Sequence, residues 1–454
     1  MTALWFETAL LPHGWEAGVR IVIGEDGCIA SVNANMPYCA GDERHWAAIP
    51  GVPNLHSHAF QRAMAGLTER RGDTRDSFWT WRDLMYRFAE RIDPALLEAV
   101  AAMAFVEMLE SGFTRSGEFH YVHHRPSGAA YDPAATMAIS LASAADRTGI
   151  GLTLLPVFYA ASGFGGQAPT AGQRRFISSI DEFARLVDAS EGAVRTLPDA
   201  IVGIAPHSLR AVPPDALLTL TQMRPDAPFH IHIAEQIREV EDCVAWSGRR
   251  PVEWLYDSFD VDARWCLVHA THISSVEVAA IVASRAVVGL CPITEANLGD
   301  GVFPAHAFAE RGGRYGVGSD SNVAIDAAGE LRMLEYGQRL IVRERNVLAG
   351  QSRSSGRTMV EAAVAGGAQA LGVPVVGLVA GASADIASVD AGHPSLAGRR
   401  GDAILDSWIF ATGRGAVDCV WRRGALVVRG GRHVAREQVV QQYKHALRLL
   451  LDGA

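Results

Sequence analysis

The sequence is short of paired cysteines. Its six, Cys28, Cys39, Cys243, Cys266, Cys291 and Cys419, are scattered over 454 residues with no CxxC pair. At this length such spacing does not suggest a disulfide framework, and it reads as reduced thiols in a cytoplasmic protein. The opening Met1-Thr-Ala-Leu-Trp-Phe-Glu7 lacks a basic stretch and a long apolar core, so no secretory leader is expected. No apolar run reaches the roughly 18 to 20 residues of a membrane span, so no membrane partner is expected. Positive charge is also in deficit, with 41 Lys+Arg against 50 Asp+Glu and a net charge of −9. That balance argues against a nucleic-acid partner. It leaves room for a small anionic ligand, because a few local arginines can invert the field inside a pocket. There is no low-complexity tract and no short-period repeat.

What is present is a globular composition, 49% hydrophobic and 20% charged. The length suits a large barrel with an appendage. Residues 1 to about 48 read as short strands (3–6, 17–23 and 28–32) separated by turn signals such as Glu25-Asp-Gly27. From about 49 the rhythm becomes strand then helix, with Trp46-Ala-Ala-Ile49 as an apolar approach to the first strand. Asp93-Pro94 and Asp132-Pro133 have the form of helix starts, an Asp cap followed by Pro. Eight short apolar strand candidates follow one another up to Tyr315–Asp320, most separated by helical stretches. Eight βα units indicate a (β/α)8 TIM-like barrel of the α/β class.

After about 372 the strand-like composition returns. The expected organisation is a small discontinuous β-sandwich domain from both chain ends (1–48 and 373–430), a barrel at 49–372, and a C-terminal helix at 431–454. In that last stretch Val439, Val440, Tyr443, Leu447 and Leu450 recur at helical spacing, a stripe that packs on the body or on a second subunit.

The polar residues that stand out fall at strand C-termini, where barrel active sites form. His56-x-His58 puts two imidazoles on one side of a strand end. His232 lies on the fifth strand with Glu235 three residues on, His269 ends the sixth, and Asp320 ends the eighth. His56, His58, His232 and Asp320 suit one Zn²⁺, or Fe²⁺, with room for a water whose pKa the metal would lower to about 7. Singly, each histidine also reads as a satisfied core residue and Asp320 as a helix cap. Their joint placement argues for the metal.

These residues are similar to the pattern of the amidohydrolase superfamily, in its deaminase branch, over about Ala3 to Trp421. Gly203–Arg210, at the end of strand four, contains no lysine that could be carbamylated to bridge two metals, which points to a single ion. Within the superfamily, Asn54-Leu-His-Ser-His-Ala-Phe-Gln-Arg62, Pro206-His-Ser-Leu-Arg210 and His230-Ile-His-Ile-Ala-Glu-Gln236 resemble the formimidoylglutamate deiminases of histidine degradation. The resemblance implies hydrolysis of N-formimidoyl-L-glutamate to N-formyl-L-glutamate and ammonia. It also implies substrate contacts at Gln61, Arg82, Tyr121, His207 and Arg210, and a homodimer acting on a small dicarboxylate. Arg82 is placed on a long loop after strand one, where it also reads as a solvated arginine, and the Trp79/Trp81 pair as loop packing. In the chemistry, Asp320 is ligand and base, Glu235 ferries protons to the departing nitrogen, and His269 orients the water and stabilises the tetrahedral intermediate.

Two other readings stay open. One is a deaminase or hydrolase of the same superfamily acting on a nucleobase, nucleoside or triazine. The other is a catalytically inactive barrel serving as a binding or assembly protein. The HxE…PCxxC signature of the separate cytidine deaminase fold is absent.

Overall fold

The computed structural model describes residues 2–70 and 78–452. Both chain ends build one eight-stranded sheet. Its order runs Arg432–His433, Ala425–Arg429, Val417–Arg422, Ile386–Val389, Glu43–Pro50, Thr2–Leu11, Gly14–Ile23, Ile29–Asn33. The two halves join where Glu43–Pro50 runs antiparallel to Ile386–Val389. The sheet curls on itself. Thr2–Leu11 and Val417–Arg422 are three strand steps apart, roughly 14 Å if the sheet were flat. Yet the rings of Phe6 and Trp421 meet edge to face at 6.0 Å. The enclosed core gathers Leu4, Phe6, Ile21, Ala48, Ile386 and Trp421, a sandwich-like packing within one continuous sheet.

The barrel strands are β1 (Val52–Ser57), β2 (Phe113–His120), β3 (Gly151–Phe158), β4 (Ile201–Val202 continued by Ala205–Pro206), β5 (Phe229–Ile233), β6 (Trp265–His269), β7 (Val287–Leu290) and β8 (Arg314–Val317). All neighbouring pairs are parallel. Two seams close the ring. Ile204 bridges Phe229 and Ser208 bridges His232 between the β4 and β5 segments. Ser57 bridges Asp320 between β1 and β8, where the His58 N–H donates to the Asp320 carbonyl and the Asp320 N–H to the His56 carbonyl, both at 2.9 Å. Gly318 is required at this seam, because a Cβ there would lie 2.7 Å from the His56 carbonyl oxygen. Apart from Ile201–Val202 in β4 and Arg314 in β8, the strand residues are buried, as in a parallel sheet lined by helices.

Helix Pro94–Glu110 starts as its sequence says, with Asp93 accepting from the Leu96 N–H at 2.8 Å and Pro94 at the first position. Helix Arg436–Leu451 lies on the body. Val439, Ala446 and Leu450 are buried, Arg436 pairs with Glu110, and Arg91 donates to the Leu450 carbonyl at 3.0 Å. No helix among the described residues is long and apolar enough to cross a membrane.

The structure corrects several local readings. Trp46–Ile49 belongs to small-domain strand Glu43–Pro50, and the chain enters the barrel only after Gly51, where a Cβ would stand 2.3 Å from Thr114. The second Asp-Pro does not open its helix. Both the N–H and the hydroxyl of Thr136 bond to the Pro133 carbonyl, making a turn first, and the helix spans Thr136–Thr148. Arg82 is not on a loop. It sits on helix Phe78–Ala89, which forms because Phe78, Met85 and Phe88 recur on one buried face.

Candidate active site

Four potential ligand atoms converge at the barrel mouth, all buried and all within 4.8 Å of one another: those of His56, His58, His232 and Asp320. His56 Nε2 is 3.2 Å from His58 Nε2 and 3.0 Å from His232 Nε2. Asp320 Oδ1 is 3.4 Å from His56 Nε2 and 3.2 Å from His58 Nε2. Ligands about 2.1 Å from one tetrahedral ion are themselves separated by roughly 3.4 Å, so the spacing fits a single Zn²⁺-sized ion. Backbone carbonyls fix the rings. The Nδ1–H of His58 donates to the Phe119 carbonyl at 2.9 Å and that of His232 to the His207 carbonyl at 3.0 Å, leaving both Nε2 lone pairs facing inward. Burial pushes His56 down to about 3 and His232 well below its ordinary value, so these imidazoles are neutral, as ligands must be. Burial works against the Asp320 charge, but His56 and His58 outweigh it and hold its carboxyl well below the usual range. The chain's one lysine is Lys444 on the C-terminal helix, so no lysine can bridge a second ion at strand four.

A buried polar web braces this cluster. Asn54 on β1 donates to Ser319 Oγ at 2.7 Å and accepts from the Ser319 N–H at 3.0 Å. Ser319 donates to Asn322 Oδ1 at 2.6 Å, and the Asn322 amide donates to Ser57 Oγ and the carbonyls of His58 and Asp320. Asp320 and Asn322 both take positive φ, 43° and 56°, as do Ala234 and His269 at the ends of β5 and β6. Strained backbone thus gathers around the cluster.

Beside the four-ligand cluster sit the acid–base candidates. Glu235 falls in the turn after β5, and burial pushes its carboxyl up to about 7. His269 stays off the four-atom cluster, with Nε2 3.8 Å from Glu235 Oε1 and 3.9 Å from Asp320 Oδ2. Its Nδ1 is held by Glu295 Oε1 at 3.3 Å. Burial pulls the imidazole down, yet Glu235, Glu295 and Asp320 outweigh it and push it up to about 10. Glu295, on helix Pro292–Leu298, carries no signal in the sequence, because only the fold brings it behind His269.

Together these groups open on one cavity at the barrel mouth. Every substrate-contact residue expected from the sequence lines it: Gln61, Arg82, Tyr121, His207 and Arg210. Gln61 donates to the Tyr121 hydroxyl at 2.8 Å, and its Oε1 has no partner among the described residues. His207 stands against Tyr159, ring centroids 4.6 Å apart, and burial with nearby Arg210 holds it neutral. Arg210 is buried, with Glu235 and Glu239 each 3.9 Å away. Burial opposes its charge, but Glu239 and Glu235 hold the guanidinium above its ordinary value. Its Nε and Nη2 have no hydrogen-bond partner among the described residues, and neither has Arg82 Nε. Buried donors left open in this way are positioned for an anion. Phe78, Trp81, Met85, Tyr86, Tyr159 and Phe176 form an apolar wall that is not among the residues expected from the sequence. The i, i+3, i+7 spacing of Phe78, Trp81 and Met85 was the available signal.

Comparison with known proteins follows the same lines. Residues 47–427 match the amidohydrolase family, and residues 1–46 match formimidoylglutamate deiminase HutF, N-terminal domain. The chain is 49% identical over 454 residues to a formimidoylglutamate deiminase of Pseudomonas aeruginosa, covering 100% of both. A crystal structure of an amidohydrolase from Brucella melitensis is 52% identical, covers 99% of this chain and 100% of its own, and superposes with a TM-score of 0.97. An adenosine deaminase from Xanthomonas campestris with bound zinc is 21% identical over 99% and 98% of the two chains, with a TM-score of 0.83, a likeness of fold alone.

Proposed function

Because the chain belongs to the amidohydrolase family, we infer that it hydrolyses N-formimidoyl-L-glutamate to N-formyl-L-glutamate and ammonia in the degradation of histidine. The observation that carries this reading is the meeting, in one cavity, of a three-imidazole, one-carboxylate cluster with two arginines whose donors are unspent. A linear amidine with two carboxylates needs both.

Zn²⁺ is the ion we propose for His56, His58, His232 and Asp320, with Fe²⁺ the alternative. When bound, such an ion supplies Lewis acidity that makes water a competent nucleophile near neutral pH. The chain's own groups manage the protons. Water adds to the amidine carbon, Asp320 takes one of its two protons and Glu235 the other, and both protons end on the terminal nitrogen. Glu235, raised to about 7, is poised both to take a proton and to hand one to the terminal nitrogen. The bond from carbon to that nitrogen then breaks, ammonia leaves, and the formyl C=O forms. Cationic His269 faces the negative charge that develops on oxygen. Arg210 and Arg82 receive the substrate carboxylates, and the Gln61–Tyr121 pair orients the chain between them.

The wider reading is a cytoplasmic homodimer acting on a small dicarboxylate, with no nucleic-acid or membrane partner. The net charge of −9 supports the exclusion of nucleic acid. Exposed Met333, Tyr336 and Leu340 along helix Ala327–Val342 support pairing of two copies. The cavity's cations disfavour a neutral nucleobase or triazine, and the complete ligand cluster disfavours an inactive barrel. Ammonia release from N-formimidoyl-L-glutamate, adenosine, cytosine and a triazine, compared on one preparation, tests the reading. Turnover of the first alone supports it, and turnover only of a heterocycle overturns it.

A further inference from the structure

Three guanidinium groups surround one indole. The Arg82, Arg238 and Arg210 guanidinium carbons lie 4.6, 4.9 and 5.6 Å from the Trp79 ring centroid. They come from separate elements. Arg82 shares helix Phe78–Ala89 with Trp79, Arg210 follows β4, and Arg238 opens helix Ile237–Ser247. A π-face attracts each cation, but three cations around one ring repel one another. The carboxylates near them pair only loosely. Arg238 has Asp242 at 3.7 Å across an exposed pair, and Arg210 has Glu235 and Glu239 at 3.9 Å.

Trp79 marks the boundary between two spaces. Arg82 and Arg210 line the catalytic cavity and also a second cleft outside it. Arg238 lines only the outer cleft, together with Trp79, Ser162 and Gln167. Asp83 and Asp242 lie there as well. The two arginines common to both spaces put the cleft beside the cavity, on the way an approaching substrate would take. In a chain of net charge −9 such an approach needs local positive charge if a dianion is to use it.

We propose that this outer cleft, organised by Trp79 and Arg238, is an anion subsite where a dicarboxylate is held before its carboxylates pass to Arg82 and Arg210. The inference rests on the dicarboxylate specificity above. Arg238 is not among the described residues that line the catalytic cavity, so its removal should act on capture and leave the bound reaction alone.

Two measurements on the metal-loaded enzyme test it. In the first, Arg238→Met is assayed for ammonia release at low and high ionic strength, with Arg429→Met, an equal charge change at the exposed end of a small-domain strand, as control. The expected result is kcat within about twofold of the parent, kcat/KM about tenfold lower at low salt, and convergence at 1 M salt. In the second, glutarate binding is followed by calorimetry, which needs no turnover. Arg238→Met should weaken it severalfold and flatten its salt dependence, and Arg429→Met should do neither. Parental kcat/KM, glutarate affinity and salt dependence in Arg238→Met would overturn the subsite. Failure of the parent to release ammonia while glutarate binding still depends on Arg238 would overturn the substrate assignment and leave the subsite standing.

Discussion

His232 Nε2 points its lone pair at His56 Nε2 across 3.0 Å, because the other nitrogen of the His232 ring is committed to the His207 carbonyl. His56 Nδ1 has no partner among the described residues, so its proton is free to sit there; in that tautomer, the one a ligand needs, the two imidazoles and Asp320 repel unless a cation sits among them. The fold has therefore built a ligand set that is poorly stable on its own, and it should be stabilised by metal.

The first prediction follows. Chelation should abolish activity and lower the unfolding temperature, and added Zn²⁺ should restore both. At a thousandfold excess of metal over its Kd the stabilisation is about 4 kcal/mol. His232→Ala should lose metal and activity together. Elemental analysis should find about one ion per chain, and two tightly held ions would contradict the cluster's geometry.

Glu235→Gln separates proton transfer from metal binding. Its carboxyl is not among the converging ligand atoms. The variant should keep its metal, with kcat lower by about 10²–10⁴-fold. Loss of metal in this variant would make Glu235 a ligand, and unchanged kcat would hand the proton transfer to His269.

The same substitution should change stability with pH. In the fold Glu235 is raised to about 7 from an ordinary value of 4.5, so its ionised form is disfavoured by burial. Below pH 4.5 it is protonated folded or unfolded, and Gln mimics it. As pH rises from 4.5 through 7 the native protein loses stability relative to Glu235→Gln, by at most about 3 kcal/mol once both states are ionised. Denaturant unfolding of the metal-free forms at pH 4.5 and 8 checks this, and a variant no more stable than the parent at pH 8 would contradict it.

Arg210→Met should lower kcat/KM by a factor equivalent to about 2–5 kcal/mol, since a desolvated substrate carboxylate is left without its partner. An unchanged value would remove Arg210 from the pocket's recognition.

Asn322→Ala tests the seam between β1 and β8. It strips donors from Ser57, His58 and Asp320 and places Ala at a φ of 56°. A loss of about 2–4 kcal/mol is expected from the unpaired buried groups and the strained backbone, with metal affinity about 10–100-fold weaker as the ligands loosen. Thermal unfolding and metal titration read the two effects.

The legible part of this site was the part written in local pattern. His56-x-His58, His232-x-x-Glu235, His269 and Asp320 each end a strand whose apolar run announces it, and the structure brings them together. Gln61, Tyr121, His207 and Arg210 lie within a few residues of those strands and reach the same cavity. Arg82 is harder to place, because what marks the helix carrying it is the spacing of Phe78, Trp81 and Met85. Glu295 behind His269, and Arg238 across from Trp79, were invisible, since each meets its partner only after distant βα units close into a ring. The small domain was legible as strands, but the pairing of Glu43–Pro50 with Ile386–Val389 depends on residues more than 300 positions apart, which no local rule contains.

The most direct measurement is the product balance on N-formimidoyl-L-glutamate with the metal-loaded enzyme. Attack on the amidine carbon with Glu235 delivering its proton to the terminal nitrogen predicts ammonia and N-formyl-L-glutamate in a one-to-one ratio, abolished by chelation. Formamide and glutamate as products, or no turnover with a full complement of metal, would contradict the account.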